Sequence, residues 1–308
     1  MKGLHGKVAL CTGSGLEGGL GHGILKRLGE AGCQLVVSDL DTIMTNGGTR
    51  SSDENPVVRE LLDAGANAIG IACDVSEEAS IVGAVESVMS HFGHFDILIN
   101  NAAIGDIIKP LTELNLREWQ QVITVNLTGA FLFTREAARV MDNGASIVNI
   151  ASQAAKTGFR QMAPYVSSKH GMIGLTRTAA IDLASKGIRV NAVCPNHVTT
   201  TMGKAQSEYF SSLRGLAPEA YRAQIAERVP LGRVGRPEDT AAAVAFLASD
   251  EAAFMTSEAL NVSGGEETHS PRAGHHRSLR AIAHCIRRWI GYSCVETVVE
   301  KPLVTLIT

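Results

Sequence analysis

The chain lacks the features that would send it to a membrane, a nucleic acid or a metal. No run approaches eighteen apolar residues, so no membrane span is expected. Residues 1–7, ahead of the first apolar strand, hold no signal-type stretch, and a cytoplasmic setting is expected. Lys and Arg number 28 against 31 Asp and Glu, so no global basic field points to nucleic acid or anionic lipid. The six cysteines, at 11, 33, 73, 194, 285 and 294, form no C-x-x-C pair and no Cys/His ligand spacing, so no metal is expected. Cys11, Cys33 and Cys73 lie among apolar or small residues and read as buried thiols in a reducing compartment. What remains is 308 residues, 45% hydrophobic and only 19% charged, enough for a sizeable core.

The first ordered signal is a glycine loop between two strands. Residues 7–12 are a short apolar strand, and residues 13–23 contain six glycines. A helical pattern follows, with Ile24, Leu25 and Leu28, and residues 34–38 form a second strand closed by Asp39. Glycines let a backbone turn tightly and approach a pyrophosphate, while a helix N-terminus offers free N–H groups and a positive dipole end. A strand before, a helix after and an acid closing the next strand favour a nucleotide site over a flexible surface loop. The Asp39 carboxylate suits ribose hydroxyls and would repel a 2′-phosphate, which argues for NAD over NADP. Its other reading is a cap on the following turn.

Strand and helix then alternate to the end of the pattern, the mark of an α/β fold with a doubly wound parallel sheet. Further strands are expected at 68–73, 95–99, 146–150, 188–193 and 260–262, and helices at 57–64, 77–92, 117–141, 165–185 and 237–247. Residues 42–56 read as a long polar surface loop, and 202–228 as short helices. Asn126 falls mid-helix, where Asn is unfavourable by propensity, so it is either buried and paired or has a task.

Tyr165 and Lys169 stand four residues apart, on one helix face. A fixed ammonium favours phenolate and lowers the phenol's pKa, which makes a general acid/base for an alcohol/ketone pair. Alone, such a pair also fits a half-exposed helix face. Ser152 just past an apolar strand, with the glycine loop upstream, strengthens the catalytic reading.

In their order and spacing these motifs resemble the short-chain dehydrogenase/reductase family over residues 5–265. The matching residues are Thr12-Gly13 with Gly19-Leu20-Gly21, Asp74-Val75, Asn100-Asn101-Ala102-Ala103, Asn126, Ser152, Tyr165 with Lys169, and Pro195 with Thr200. The resemblance implies one Rossmann-type domain, residues 1–265, that moves a hydride between NAD and a secondary alcohol or ketone. In it Tyr165 is the acid/base, Lys169 lowers its pKa and holds the nicotinamide ribose, Ser152 donates to the substrate oxygen, and Asn126 anchors a water-linked proton path. Gly13, Gly19, Leu20, Gly21 and Asp39 are the cofactor's loop and ribose contacts. Asp74 and Val75 touch adenine, and Asn101, Ala102 and Ala103 line the adenosine side. Pro195, Val198 and Thr200 meet the carboxamide end.

Three positions depart from the family pattern. Gly13 and Gly19 are two residues further apart than usual, Pro195 is followed by Asn196-His197 rather than Gly, and Ala103 stands where Gly is commoner. His197 reads equally as a substrate contact or as an exposed loop residue. Residues 199–228 are expected to shape the substrate pocket. Residues 266–308 lie outside the resemblance and read as a peripheral appendage. The alternatives are a 3-oxoacyl thioester reductase, a sugar or polyol dehydrogenase, a dehydratase or epimerase, and a non-catalytic NAD-sensing or scaffold protein. A homodimer or homotetramer on the helices bearing Asn126 and Tyr165 is implied by the resemblance alone.

Overall fold

Apolar side chains occupy both faces of the strands, so each strand must be covered twice. In β1 (Val8–Thr12), Ala9 and Cys11 pack to one side and Val8 and Leu10 to the other. The same alternation holds in β2 (Gln34–Asp39), where Leu35 and Val37 oppose Val36, and in β4 (Ile97–Asn100), where Ile97 and Ile99 oppose Leu98. With β3 (Ala68–Ala72), β5 (Ser146–Ile150), β6 (Arg189–Pro195) and β7 (Ala259–Val262) they form one parallel sheet of order β3-β2-β1-β4-β5-β6-β7. The computed structural model describes residues 1–48 and 51–266. The appendage expected from 266 onward, and Cys285 and Cys294 with it, fall outside the described residues from 267 on.

Ten α-helices are found among the described residues. They are α1 (Leu20–Gly29), α2 (Asp41–Met44), α3 (Pro56–Asp63), α4 (Glu78–Phe92), α5 (Leu116–Ile123), α6 (Gly129–Val140), α7 (Ala163–Leu183), α8 (Thr201–Ser212), α9 (Pro218–Arg228) and α10 (Pro237–Ala248). One face of the sheet packs on α1, α3 and α10 through Ile24, Leu25, Leu28, Val58 and Val244. The other packs on α4, α6 and α7 through Ile81, Val85, Phe133 and Ala180. Full burial of such side chains contributes about 1.5–3 kcal/mol each. The strand order reverses between β1 and β4, and ligands of such sheets bind beyond the strand C-termini at that point.

Two expectations are corrected. The helix expected over 117–141 is interrupted by a π turn, Thr124–Thr128, which holds the buried Asn126. The stretch expected to be a polar surface loop, 42–56, is partly internal: Met44 and Asn55 are fully buried. Asn55 Nδ2 donates to the Gly15 carbonyl at 3.1 Å and to the Ile43 carbonyl at 3.2 Å, so this segment braces the glycine loop. A hydrophobicity pattern misses this, because one polar side chain makes the connection.

Among the described residues all four cysteines are free and buried, and no helix is long and apolar enough to cross a membrane. Burial pushes their thiols up, Cys33 to about 12, which leaves little reactive thiolate.

At the glycine loop a positive φ and a close approach coincide. Gly13 has φ +64°, and a Cβ there would stand 2.7 Å from the Ala102 Cα. Gly13→Ala is expected to cost at least about 1 kcal/mol of stability and to weaken dinucleotide binding. Thermal unfolding with a cofactor titration checks both, and unchanged values would show that this approach is not needed.

Candidate active site

The β5 strand ends at Ile150, and Ser152 follows in extended backbone with its Oγ accepting the Ala154 N–H at 3.0 Å. α7 begins at Ala163 with Pro164 in its first turn, where a missing N–H costs nothing. That start places Tyr165 and Lys169 one turn apart, with both facing the end of β5. Lys169 is buried, and its Nζ donates to the Ile150 carbonyl at 2.7 Å. The same ammonium lies 5.7 Å from the centroid of the Tyr165 ring. Gly105 packs on that ring, since a Cβ there would stand 3.2 Å from its edge atoms.

The electrostatics run against one expectation. Burial raises the Tyr165 phenol above its ordinary value, and a hydrogen bond with Ser152 works the other way. The anticipated lowering by Lys169 is not found. The ammonium points at the Ile150 carbonyl below the ring, and burial drives Lys169 itself down to about 8.

Asn126 sits behind the site. Its Oδ1 accepts the Ile104 N–H at 2.8 Å, and its Nδ2 donates to the Ile104 carbonyl at 2.9 Å and to Ser168 Oγ at 3.2 Å. The amide is thus committed to the loop after β4 and to α7. Its chemistry here is positioning, which accounts for Asn in a helix, and a π turn is a common mark of such places.

A cavity of about 870 Å³ joins these groups to the glycine loop. Its wall includes Gly13, Gly19, Leu20, Asp39, Asp74, Val75, Asn101, Ala102, Ala103, Ser152, Tyr165, Lys169, Pro195, Val198 and Thr200. Gly21 lies behind this wall, where a Cβ would meet Asn101 Nδ2 and Ser14 Cβ at 2.8 Å. The two extra loop residues form a turn, with Gly18 at φ +69° and the Gly19 N–H bonded to the Leu16 carbonyl at 3.1 Å. Downstream of this bulge, α1 starts with no side-chain cap and no acid in its first turn. Such an open helix end, with glycine backbone beside it, fits a dinucleotide's phosphates.

Asp39 caps the following turn and also faces the cavity. Its Oδ2 accepts the Gly15 N–H and its Oδ1 the Leu40 N–H, each at 2.9 Å, while the carboxylate lines the cavity. Each oxygen retains acceptor capacity. Burial raises its pKa, opposed by those two N–H groups. Asp74 Oδ1 is engaged by Ser76, and Asn101 Nδ2 donates to the Thr12 and Gly13 carbonyls at 2.8 and 2.9 Å. Asn101 therefore clamps the loop from the β4 end.

At the far end the exposed-loop reading of His197 is overturned. The residue is half-buried on the cavity wall, because Asn196 and Gly235 tie its backbone inward. Burial chiefly lowers its pKa, with Arg228 adding to that and Glu266 opposing it. Thr200 caps α8, its Oγ1 accepting the Gly203 N–H at 3.1 Å. Residues 199–228 do supply wall: Met202, Gln206, Phe210, Arg214, Tyr221 and Arg228. Sequence reasoning passed over Ile104, Arg160 and Met162, which also line it, because loop residues without a motif carry no signal of where they fold.

Comparison with known proteins agrees with this geometry. A family model described as enoyl-(acyl carrier protein) reductase matches residues 13–267. The chain is 36% identical over 261 residues to a cis-4-hydroxycyclohexanecarboxylate dehydrogenase of Sinomonas cyclohexanicum, covering 84% of this chain and 96% of that one. It belongs to the short-chain dehydrogenase/reductase family. This dehydrogenase/reductase is also 37% identical over 267 residues to a putative ketoacyl reductase of Streptomyces coelicolor, covering 84% and 96%. A variant of actinorhodin polyketide ketoreductase with NADPH superposes with TM-score 0.76 at 35% identity, covering 86% of this chain and 99% of that one. An NAD+-bound xylitol dehydrogenase gives 0.75 at 33% identity, covering 86% and 100%.

The buried ammonium of this dehydrogenase/reductase has a measurable signature. Its folded pKa of about 8 lies below the ordinary lysine value, so the unfolded chain holds more protons between the two. Stability withheld by the buried charge at neutral pH is therefore regained as pH rises through that window. Lys169→Met lacks this gain. The wild type is expected to improve relative to the variant by up to about 3 kcal/mol between pH 7.5 and pH 10.5. Denaturant unfolding across that range checks it, and a constant difference would mean the lysine titrates normally.

Proposed function

We propose that the protein interconverts a secondary alcohol and its ketone, with Tyr165 as proton carrier and NAD preferred to NADP. The observation that carries this is the meeting of Ser152, Tyr165 and Lys169, the last with its ammonium 5.7 Å from the centroid of the phenol ring, on the wall of a cavity that reaches Asp39. The nicotinamide, when bound, supplies the hydride chemistry and, oxidised, a positive charge. Gly13, Gly19, Leu20, Gly21, Asn101, Ala102 and Ala103 would hold the phosphate and adenosine parts, with Asp74 and Val75 beside the base. Asp39 would accept from the ribose hydroxyls, and its charge disfavours a 2′-phosphate. Pro195, Val198 and Thr200 would meet the carboxamide end.

In oxidation the Tyr165 phenolate takes the alcohol proton, and in reduction the phenol returns it to the ketone oxygen. Ser152 Oγ, on the same wall, donates to that same oxygen. Lys169 supplies fixed positive charge beside the ring and would hold the nicotinamide ribose by a hydrogen bond. Asn126 keeps Ile104 and Ser168 in place and, through the order it gives this wall, supports a water-linked path for the proton. Because burial raises the phenol, oxidation is favoured as pH rises through its range and reduction as pH falls.

A 3-oxoacyl thioester reductase is the second reading, favoured by the relatives named as ketoacyl reductases. A polyol dehydrogenase is compatible too, as one relative is named a D-threitol dehydrogenase. An intact Ser152, Tyr165 and Lys169 argues against a purely NAD-sensing protein. We read the setting as cytoplasmic from the buried free thiols, and the assembly as a homodimer or homotetramer. Exposed Phe131 on α6 and Ile181 on α7 support the latter.

Tyr165→Phe is expected to lower turnover of secondary alcohols by about 10²-fold or more while NADH affinity stays within about twofold. Retained turnover would refute the acid/base assignment. Asp39→Ser is expected to raise NADP use relative to NAD by about tenfold, read as the ratio of kcat/KM for the two cofactors. An unchanged ratio would leave Asp39 as a turn cap only.

A further inference from the structure

The charges along the cavity wall are sorted by sign. Acidic lining residues, Asp39 and Asp74, stand at the end assigned to adenosine. The rest of the lining holds Arg160, Arg214 and Arg228 and no further Asp or Glu. These arginines are not equivalent. Arg228 lies 3.8 Å from Glu266, a nearly buried carboxylate whose other oxygen takes the Asn196 amide, so its charge is largely balanced. Arg222 on the same helix is paired with Glu219. Among the described residues, neither Arg160 nor Arg214 forms an ion pair, and both are exposed to solvent.

Their surroundings say what such cations could serve. Arg214 lies with its guanidinium carbon 5.0 Å above the ring of Tyr221, a buried side chain of α9. Stacking of this kind steadies the planar fork and leaves its edge N–H groups for a planar acceptor. Beside it, Phe210 and Leu213 give the same wall an apolar surface, and Met162 follows Arg160 on the loop leading to α7. This wall thus sets apolar side chains beside two solvent-exposed guanidinium groups that hold no carboxylate of the protein.

Resting on the oxidoreductase reading above, we infer that the substrate is a small secondary alcohol or ketone with an apolar body and a carboxylate remote from the reacting carbon. Arg214 and Arg160 receive that carboxylate. A guanidinium fork matches a carboxylate edge to edge, which also fixes which face of the substrate meets Ser152 and Tyr165. A neutral alcohol would leave both cations to water and gain only the apolar contacts.

The test uses matched alcohols with the full-length protein and NAD: cyclohexanol against 4-hydroxycyclohexanecarboxylate, and 2-butanol against 3-hydroxybutanoate. The acid of at least one pair is expected to have a kcat/KM at least tenfold above its neutral partner, mostly through KM. Raising the salt from 0.05 to 0.5 M is expected to narrow that preference in the wild type, which needs no variant to fold. Arg214→Gln and Arg160→Gln are expected to lower the acid-to-neutral ratio at least fivefold in one or both. Equal values within each pair, with turnover present, would overturn the carboxylate assignment and leave the oxidoreductase reading standing. A preference indifferent to salt and to both substitutions would assign the carboxylate elsewhere and also overturn it. No turnover of any of the four, nor of the ketones with NADH, would overturn the parent reading and this one with it.

Discussion

The Lys169 ammonium is carried into the interior and held there by a carbonyl at the end of a central strand. Burial of a charge is costly, and the depressed pKa shows that a hydrogen bond offsets only part of the cost. The rest of the architecture supplies the restraint. Further along the same helix, Thr176 Oγ1 accepts from Asn149 Nδ2 at 2.9 Å, so α7 is fixed to β5 at two heights. Asn149 in turn accepts from Asn100 of β4 at 2.8 Å. A helix restrained in this way cannot roll, and Tyr165, one turn before the lysine, has a single place to go. The phenol's position is a consequence of the lysine's.

The same economy governs the other motif residues. Thr12 Oγ1 accepts from the backbone of Asn101 and of Ala102 at 3.0 Å each, while Asn101 reaches back to Thr12 and Gly13. These contacts join β1 to β4 at the place where the strand order reverses. Gly13 must then lie against Ala102, and only a residue without a Cβ can do so. Polar side chains that look like ligand contacts in a motif thus hold the loops that make the contact with their backbone. Asn126 behaves likewise toward Ile104.

Much of this was legible because parallel strands covered on both faces are apolar throughout, and several of the helices between them open at Gly, Asn or Pro. The alternation of strand and helix, the cleft and the triad of Ser152, Tyr165 and Lys169 follow from those runs and their spacing. What escaped depends on single long-range hydrogen bonds. Asn55 reads as a loop residue until Gly15 is placed beside it. The π turn at Thr124–Thr128 leaves no mark in an apolar pattern that continues through it. The direction of the Tyr165 shift was misjudged for a related reason. Spacing along a helix says that an ammonium is near, and says nothing about which acceptor it turns to.

Asn196 and His197, where the family pattern has a glycine, show how a local departure reshapes the distal wall. A side chain at 196 gives Glu266, just after β7, an amide to accept from, and so ties the end of β6 to the end of the last strand. That bond brings a carboxylate into a nearly buried spot, where it needs a cation, and Arg228 at the end of α9 answers it. With Glu266 and Arg228 paired, His197 loses more to burial than it gains from the carboxylate, so its imidazole is held below its ordinary pKa. On the cavity wall, that ring offers a hydrogen-bonding group to whatever fills the cleft. Glu266 thus answers one arginine of the wall, Arg228, and the other two, Arg160 and Arg214, form no ion pair among the described residues.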